Sequence, residues 1–349
     1  MLNEYISTSC NDTFTLCFVH IRNIKDANAF NYVGRGGENG MITALAGGVG
    51  AARFLQGLVK LVPQEELTVI VNTGDDIEFY DLHISPDLDI IMYTLAGIVD
   101  EEKGWGIKGD TFHCLETLRQ YGYETWFNLG DRDLATHIHR TYLLKKGFEL
   151  FEVTEKLCKS HGLNVQILPM TNDRFETIIV TDKGKMHFQE YLVKKAAQDN
   201  VLNVEFKKAE KAKPSPKVLD SIFNSETVIV CPSNPIVSIG TILSVKGIRK
   251  ALQTTKAKVV AISPIVGGAP IKGPADKLMS GLKHEVSAYG VAKLYKDFLD
   301  IFVIDNIDIA SKASIEKLGL KVVVTNTIMK TLQDKIDLTK TVLKAIKEN

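Results

Sequence analysis

The sequence predicts an α/β protein: a doubly wound, mainly parallel, Rossmann-like sheet with a helical insertion and a small antiparallel hairpin. Three observations carry that prediction. Short β-branched runs alternate with helical patterns from Met41 onward; three glycines within four positions separate the first run from the first helix; and the alternation is interrupted once, over residues 110–210.

Residues 1–40 show no sustained period and end in GRGGENG, a flexible stretch just before Met41. Met41 therefore reads as the start of the folded body and 1–40 as an N-terminal extension. A strand from FTLCFVHI (14–21) packing on the body, or an upstream start codon, are the alternatives. ITALAG is the first buried strand. LTVIVNT (67–73), ETVIVCP (226–232), KVVAISP (258–264), DIFVIDN (300–306) and KVVVTNT (321–327) have the same unbroken apolar character, the pattern of strands covered on both faces. Helices are predicted over ARFLQGLVKLV, GIRKALQTT, GVAKLYKDFL and the terminal TLQDKIDLTKTVLKAIKEN. The core is thus assigned to 41–109 and 211–349.

Residues 110–210 read as the insertion. DTFHCLETLRQYG predicts a helix with Asp110 as N-cap and Gly122 as its stop, followed by helices over LATHIHRTYLLKKG and EVTEKLCKSHG. ETIIVTDKGKMHFQEYLV (176–193) predicts a hairpin around DKGK, and KKAEKAKPSPK (207–217) a solvated return to the core.

Composition excludes several classes. Forty-two basic residues balance 42 acidic ones, so no global field recruits nucleic acid or an anionic membrane. Five cysteines, odd in number and without a C-x-x-C pair, argue against a disulfide framework or a thiolate zinc site and suit a reducing cytoplasm. The longest apolar stretches are strand-sized and MLNEYISTSC lacks the layout of a signal peptide, so the expectation is a soluble, cytoplasmic protein.

The chemistry is expected at strand ends. Gly47, Gly48 and Gly50 lie between a buried strand and a helix, where bare amides and the helix N-terminus favour an anion. The spacing is G-x-G-x-x-R, ending in Arg53, and no G-K-[ST] is present, which argues against Walker-type hydrolysis; a ligand-free tight turn is the alternative. In VNTGDD (71–76), Asp75 and Asp76 suit a ribose-gripping acid, an oxygen-rich Mg²⁺ site or an Asx turn. In SPDLD, Ser85 is placed as N-cap, Pro86 as N1 and Asp87 in the first turn, a complete structural explanation for Asp87. Asp89 points elsewhere and is the better ligand candidate. Ser233 and Asn234 of CPSNP, with Ser263, Gly267 and Gly268 of SPIVGG, would face the same crevice. Lys272 and Lys277 are phosphate partners or simply solvated. In LGDRDLATHIH, which also holds Asp131, Arg132 and Asp133, His137 and His139 are two apart on a helix and do not share a face, which argues against a two-histidine metal site.

Taken in order, GGVGAARFLQGL, VNTGDD, SPDLD, LGDRDLATHI, LPMTND, CPSNPIVSIGTIL, ISPIVGGAPIKGPADKLM and VAKLYKDFLDIFVID closely resemble the 2-phospho-L-lactate transferase family of coenzyme F420 biosynthesis. The resemblance runs from Met41 to near the C-terminus. It implies transfer of a 2-phospholactyl or phosphoenolpyruvyl group from a guanosine-diphosphate-linked donor to the ribityl hydroxyl of the deazaflavin FO. GMP leaves, Mg²⁺ is required, and the enzyme is a homodimer. Carried over by position, Gly47, Gly48 and Gly50 resemble the donor-phosphate turn. Asp75, with Asp76, is implied at the metal and in the reaction, while Ser233, Asn234, Ser263, Gly267 and Gly268 line the nucleotide pocket. Asp87, Asp89, Asn128 and Thr177 are implied at FO, and 110–210 covers that acceptor. Asn128 departs from the family pattern, in which that position is usually basic, and residues 1–40 have no counterpart. Two other readings share parts of the pattern: a non-catalytic UDP-sugar-binding regulator of the gluconeogenesis-factor type, and an NAD-dependent oxidoreductase. SPDLD and LGDRD favour the transferase.

Overall fold

Alternation of side chains along each apolar run sets the architecture. In β1 (Ile42–Ala46), Leu45 enters one apolar layer while Ile42, Ala44 and Ala46 enter another, and every residue of the strand is buried. β2 (Leu67–Val71) repeats this, with Ile70 opposed to Leu67, Val69 and Val71. Strands sealed on both faces belong in the middle of a layered α/β body. The computed structural model of the protein describes residues 40–348; the N-terminal extension and its FTLCFVHI segment lie outside the described residues.

From β1 the chain enters α1 (Gly48–Leu58), β2, a small hairpin of β3 (Ile77–Phe79) and β4 (Leu82–Ile84), then α2 (Pro86–Leu95). Three helices follow, α3 (His113–Gln120), α4 (Asp131–Lys145) and α5 (Leu150–Ser160), and then β5 (Gln166–Pro169). β6 (Glu176–Thr181), β7 (Gly184–His187) and β8 (Val201–Lys207) form an antiparallel sheet in the order β7-β6-β8. The remainder alternates: α6 (Val218–Asn224), β9 (Thr227–Val230), α7 (Ile239–Ser244), α8 (Ile248–Thr254) and β10 (Lys258–Ile262). Then come β11 (Ile265–Val266), β12 (Ala269–Pro270), α9 (Ala275–Gly281), α10 (Ala288–Tyr295), β13 (Ile301–Asp305), α11 (Lys312–Glu316), β14 (Lys321–Thr325) and α12 (Leu332–Lys347).

Seven strands make the central sheet, in the order β14-β13-β10-β9-β1-β2-β5, and every pairing in it is parallel. Strand order reverses between β1 and β9, so the crevice beyond their carboxyl ends is the topological switch point, where open α/β sheets take ligands. α1, α2, α5 and α12 seal one face through residues such as Phe54, Ile91, Val153 and Val342; α6 to α11 and the antiparallel sheet seal the other. No described helix is long and apolar enough to cross a membrane.

The structure corrects the reading of 110–210 in three places. Its segment QILP is not part of a separate insertion: as β5 it pairs with β2 and closes one edge of the central sheet. The DKGK hairpin gains a third strand, β8, and its second arm ends in a π-helical turn at Glu190–Lys194. Asp110 does not cap α3. Its carboxylate accepts the N–H groups of Arg132 (2.9 Å) and Asp133 (3.0 Å) at the start of α4, while Asp131 accepts those of His113 (3.1 Å) and Cys114 (2.9 Å) at the start of α3. Each helix therefore supplies or abuts the cap of the other, satisfying orphan amides at both ends.

Candidate active site

The glycine turn sits at the switch point. Gly48 has φ +68°, a left-handed conformation that glycine adopts without strain. At Gly50 a Cβ would lie 2.1 Å from the Pro232 carbonyl oxygen, so the third glycine lets α1 lie against the loop after β9. The Gly47 N–H donates to Ser233 Oγ (3.2 Å), tying the ends of β1 and β9 together. The Gly48 N–H faces the Asp87 carboxylate and favours its charged form.

Asp87 is held from a second side by Asn72, whose Nδ2 donates to Asp87 Oδ2 (2.9 Å) and to the Val237 carbonyl (3.3 Å). Asn72 Oδ1 in turn accepts the Gly74 N–H (2.9 Å) and shapes the turn that carries Asp75. Burial, with the charge of Asp76 adding to it, pushes the Asp87 carboxyl up to about 7 against the opposing hydrogen bonds from Asn72 and Gly48. Asp75 is buried, and its carboxyl is raised well above the ordinary range, first by burial and next by the charge of Asp87. Asp75 Oδ1 has no hydrogen-bond partner. Two carboxylates thus share a buried site, and among the described residues no basic side chain forms an ion pair with either.

The sequence paired Asp75 with Asp76; the structure pairs Asp75 with Asp87. Consecutive residues of the turn diverge, and Asp76 does not line the cavity: its Oδ2 accepts from Ser85 Oγ (2.7 Å) and lies 3.0 Å from His83 Nε2. Ser85 holds the N-cap position of α2, yet its hydroxyl is given to Asp76 and does not cap the helix. The first-turn position of Asp87 is accordingly an incomplete account of that residue.

Asp89 has the opposite environment. Both its oxygens accept from the fully buried Arg140 guanidinium, Oδ2 at 3.1 Å from Nη1. Arg140 Nη1 also approaches His137 Nδ1 (3.2 Å), His137 Nε2 lies 3.3 Å from Asp133 Oδ1, and Tyr93 donates its hydroxyl to the same oxygen (2.8 Å). Burial alone would raise the Asp133 carboxyl; the hydrogen bond and charge of His137, the Tyr93 hydroxyl and the Arg140 charge outweigh it and hold it below the usual range. Asp89 is therefore matched by the Arg140 guanidinium, whereas among the described residues Asp87 has no basic partner.

These groups open on a cavity of about 540 Å³. Of the residues singled out from the sequence, Gly47, Gly48, Gly50, Asp75, Asp87, Asp89, Asn128, Ser233, Asn234, Ser263 and Lys272 line it. Asp76, Thr177, Gly267 and Gly268 do not. Thr177 is fully buried and lies behind Asp75, whose raised carboxyl its hydroxyl opposes. Gly267 and Gly268, at φ +59° and +79°, are the two-residue turn of the β11–β12 hairpin, and the Gly267 N–H donates to Asp308 (3.1 Å). Lys277 donates to the Ala197 carbonyl. The same cavity is also lined by Ile84, Trp105, Phe127, Phe188, Leu192 and Ile271, an apolar and aromatic set. Among the described residues no three His, Cys, Asp or Glu side chains form a ready-made metal cage. Mg²⁺ does not require one, because it binds through one or two carboxylates plus substrate phosphate. The bare Asp75 oxygen beside Asp87 fits such an ion.

Sequence reasoning missed Tyr93 and Arg140, named Asp133 without a role and set His137 aside; these residues lie on two helices and meet only after folding. Arg53 and Asn72 were visible inside the quoted motifs. The role of Asn72 depends on a partner 15 residues away, Asp87, to which its amide donates.

A profile of the family described as 2-phospho-L-lactate transferase CofD matches residues 42–343. The chain belongs to that family. It is accordingly a transferase. A curated 2-phospho-L-lactate transferase from Methanocaldococcus jannaschii is 44% identical over 307 residues, covering 87% of this chain and 97% of that one. A phosphoenolpyruvate transferase from Kitasatospora aureofaciens is 46% identical over 286 residues, covering 80% and 89%. A crystal structure of a UPF0052-family protein from Bacillus halodurans superposes with a TM-score of 0.59 at 14% identity, covering 88% of this chain and 100% of that one. At that identity the likeness concerns the fold alone. The match to both kinds of named transferase leaves the three-carbon group unassigned.

Proposed function

We propose that this CofD-family transferase moves a 2-phospholactyl or phosphoenolpyruvyl group from a guanosine-diphosphate-linked donor to the terminal ribityl hydroxyl of FO, releasing GMP, as a cytoplasmic homodimer in coenzyme F420 biosynthesis. One observation carries the reading: the Asp75–Asp87 pair and the glycine turn line one cavity together with aromatic and aliphatic side chains. A diphosphate with a divalent cation suits the carboxylates and the glycine turn, and a planar deazaflavin suits the aromatic lining.

The hydroxyl oxygen attacks the phosphorus that bears the three-carbon acid; the new O–P bond forms as the bridging P–O bond to GMP breaks. Such centres need positioning and charge neutralisation more than covalent help from the protein. Asp75 and Asp87 would hold Mg²⁺, which when bound neutralises diphosphate charge. Asn72 fixes Asp87 and the Gly74 turn fixes Asp75, so the two carboxylates are set before substrate arrives. One of them accepts the hydroxyl proton. Arg140 pairs with Asp89 and orients it on the cavity wall, where it can accept from ribityl hydroxyls.

The test is incubation of the protein with FO, Mg²⁺ and each guanylated donor, read by mass spectrometry of the deazaflavin. A product carrying the phospholactyl or phosphoenolpyruvyl mass supports the proposal. Unchanged FO with both donors refutes it.

A further inference from the structure

Arg53 is the residue that ended the glycine motif unexpectedly, and nothing in the site described so far employs it. It lies four residues beyond Val49 on α1, about 6 Å along the helix axis, and lines both the main cavity and a side pocket of about 90 Å³. Among the described residues its guanidinium makes no hydrogen bond or ion pair. Its neighbours are cations. Lys272 lines the main cavity beside it and uses one N–H on the Lys103 carbonyl (3.1 Å). Lys330 and Lys335 line the side pocket, where the single acid, Glu101, accepts from Gln56 Nε2 (2.8 Å) and Lys335 donates to Gln56 Oε1. Burial lowers the Lys272 ammonium first, and the Arg53 charge lowers it further. A rim with this surplus of positive charge, partly desolvated and one helical turn from the glycine bend, is short of an anion.

The two kinds of relative name differ in their three-carbon acids but share one feature. Phospholactate and phosphoenolpyruvate both carry a carboxylate on the carbon that bears the phosphate ester; they differ in whether that carbon is joined to the third carbon by a single bond, as a methyl, or a double bond, as a methylene. A guanidinium accepts a carboxylate in a two-bond fork, and an adjacent ammonium adds charge without shape. Resting on the transferase reading of the same cavity, we propose that Arg53, assisted by Lys272, is the seat for the carboxylate of the donor's three-carbon acid. The seat recognises what the two donors have in common, so it selects guanylated carboxylic acids over plain guanosine diphosphate esters and leaves the choice between methyl and methylene to the apolar side of the cavity. It also places the phosphorus, two bonds away from the carbon bearing the carboxylate, over the Asp75–Asp87 side.

The test compares full-length wild type with Arg53→Gln, Arg53→Lys and Lys272→Gln, using guanylated phospholactate, its carboxamide analogue and GDP. Calorimetry in Mg²⁺ gives affinities, and deazaflavin mass spectrometry gives turnover. The expected result is that wild type binds the carboxylate donor about 10- to 100-fold tighter than the carboxamide, the range for a charge-assisted contact. Arg53→Gln should erase that difference while leaving carboxamide and GDP affinity within about twofold, and Arg53→Lys should restore part of it. Lys272→Gln should narrow the difference less. Equal wild-type affinity for the two donors overturns the proposal, as does a parallel loss of GDP affinity in Arg53→Gln, which would place Arg53 on the diphosphate. Melting temperature confirms that the variants are folded. Binding decides the carboxylate seat and wild-type product decides the transferase reading, so each can fail without the other.

Discussion

At the scale of single residues, four carboxylates within fifteen positions acquire four different tasks from their neighbours. Asp89 is matched by Arg140, so Asp89→Ala strands a buried guanidinium and should cost about 3–5 kcal/mol, measurable by urea denaturation. Asp87 has no such counter-ion. Asp87→Asn keeps the shape and removes a buried charge, so in EDTA it should unfold no earlier than wild type; a loss like that of Asp89→Ala would show that Asp87 is balanced after all. For Asp75 the expected effect is on turnover: Asp75→Asn should lower kcat by about 100-fold or more, as loss of a metal contact worth several kcal/mol implies. Near-wild-type turnover at saturating Mg²⁺ would remove Asp75 from the mechanism. Asp133 supplies a pH prediction. Its carboxyl is lowered in the folded protein, so its contribution is present above the unfolded value of about 4 and is lost as pH falls through the folded value. The destabilisation by Asp133→Asn should therefore be full at pH 7 and shrink below pH ~4; a gap independent of pH contradicts the network drawn around His137.

Elements place these residues, and their packing is tight where the site requires it. α1 begins at the switch point because Gly50 has no side chain to meet the Pro232 carbonyl, 2.1 Å from where a Cβ would stand. Gly50→Ala must push α1 away from the loop carrying Ser233 and Asn234. Overpacking of this kind costs about 1–3 kcal/mol, and the Gly47–Ser233 hydrogen bond should go with it. The expected signature is a large loss of GDP affinity in a protein that still folds; unchanged affinity would mean that the turn does not form the nucleotide site. The crossed caps of α3 and α4 act similarly. Asp110 and Asp131 lock the helix starts to one another and so fix Asp133, His137 and Arg140 relative to α2. Asp110 was legible as a cap residue, but not as the cap of a helix twenty residues downstream, because an N-cap signal in sequence speaks only to the residues that follow it directly.

For the whole molecule, strand order is the decisive fact. The reversal between β1 and β9 brings residues 47, 75, 87, 233 and 263 to one rim, and β5 completes the edge beyond β2. A nucleotide seated there ties several loops together, so GDP with Mg²⁺ should raise the melting temperature, by an amount equivalent to about 2.7 kcal/mol at one hundred times Kd. NAD and UDP-N-acetylglucosamine should leave it unchanged; a shift with UDP-N-acetylglucosamine and none with GDP would favour the regulator reading over the transferase. The amino-acid sequence alone determined the parallel α/β class, six of the seven central strands and the strand ends at which to look, because burial on both faces and glycine at a strand–helix junction leave local marks. It also determined the family, through ordered motifs along most of the chain. Only tertiary structure decided that Asp87 joins Asp75, that Asp76 turns to His83 and Ser85, that Gly267 and Gly268 serve a hairpin, and that Asp89 belongs to Arg140. Those assignments depend on which side chains lie within a few ångströms after folding, and charge balance between residues 51 positions apart, as for Asp89 and Arg140, leaves no periodicity to read.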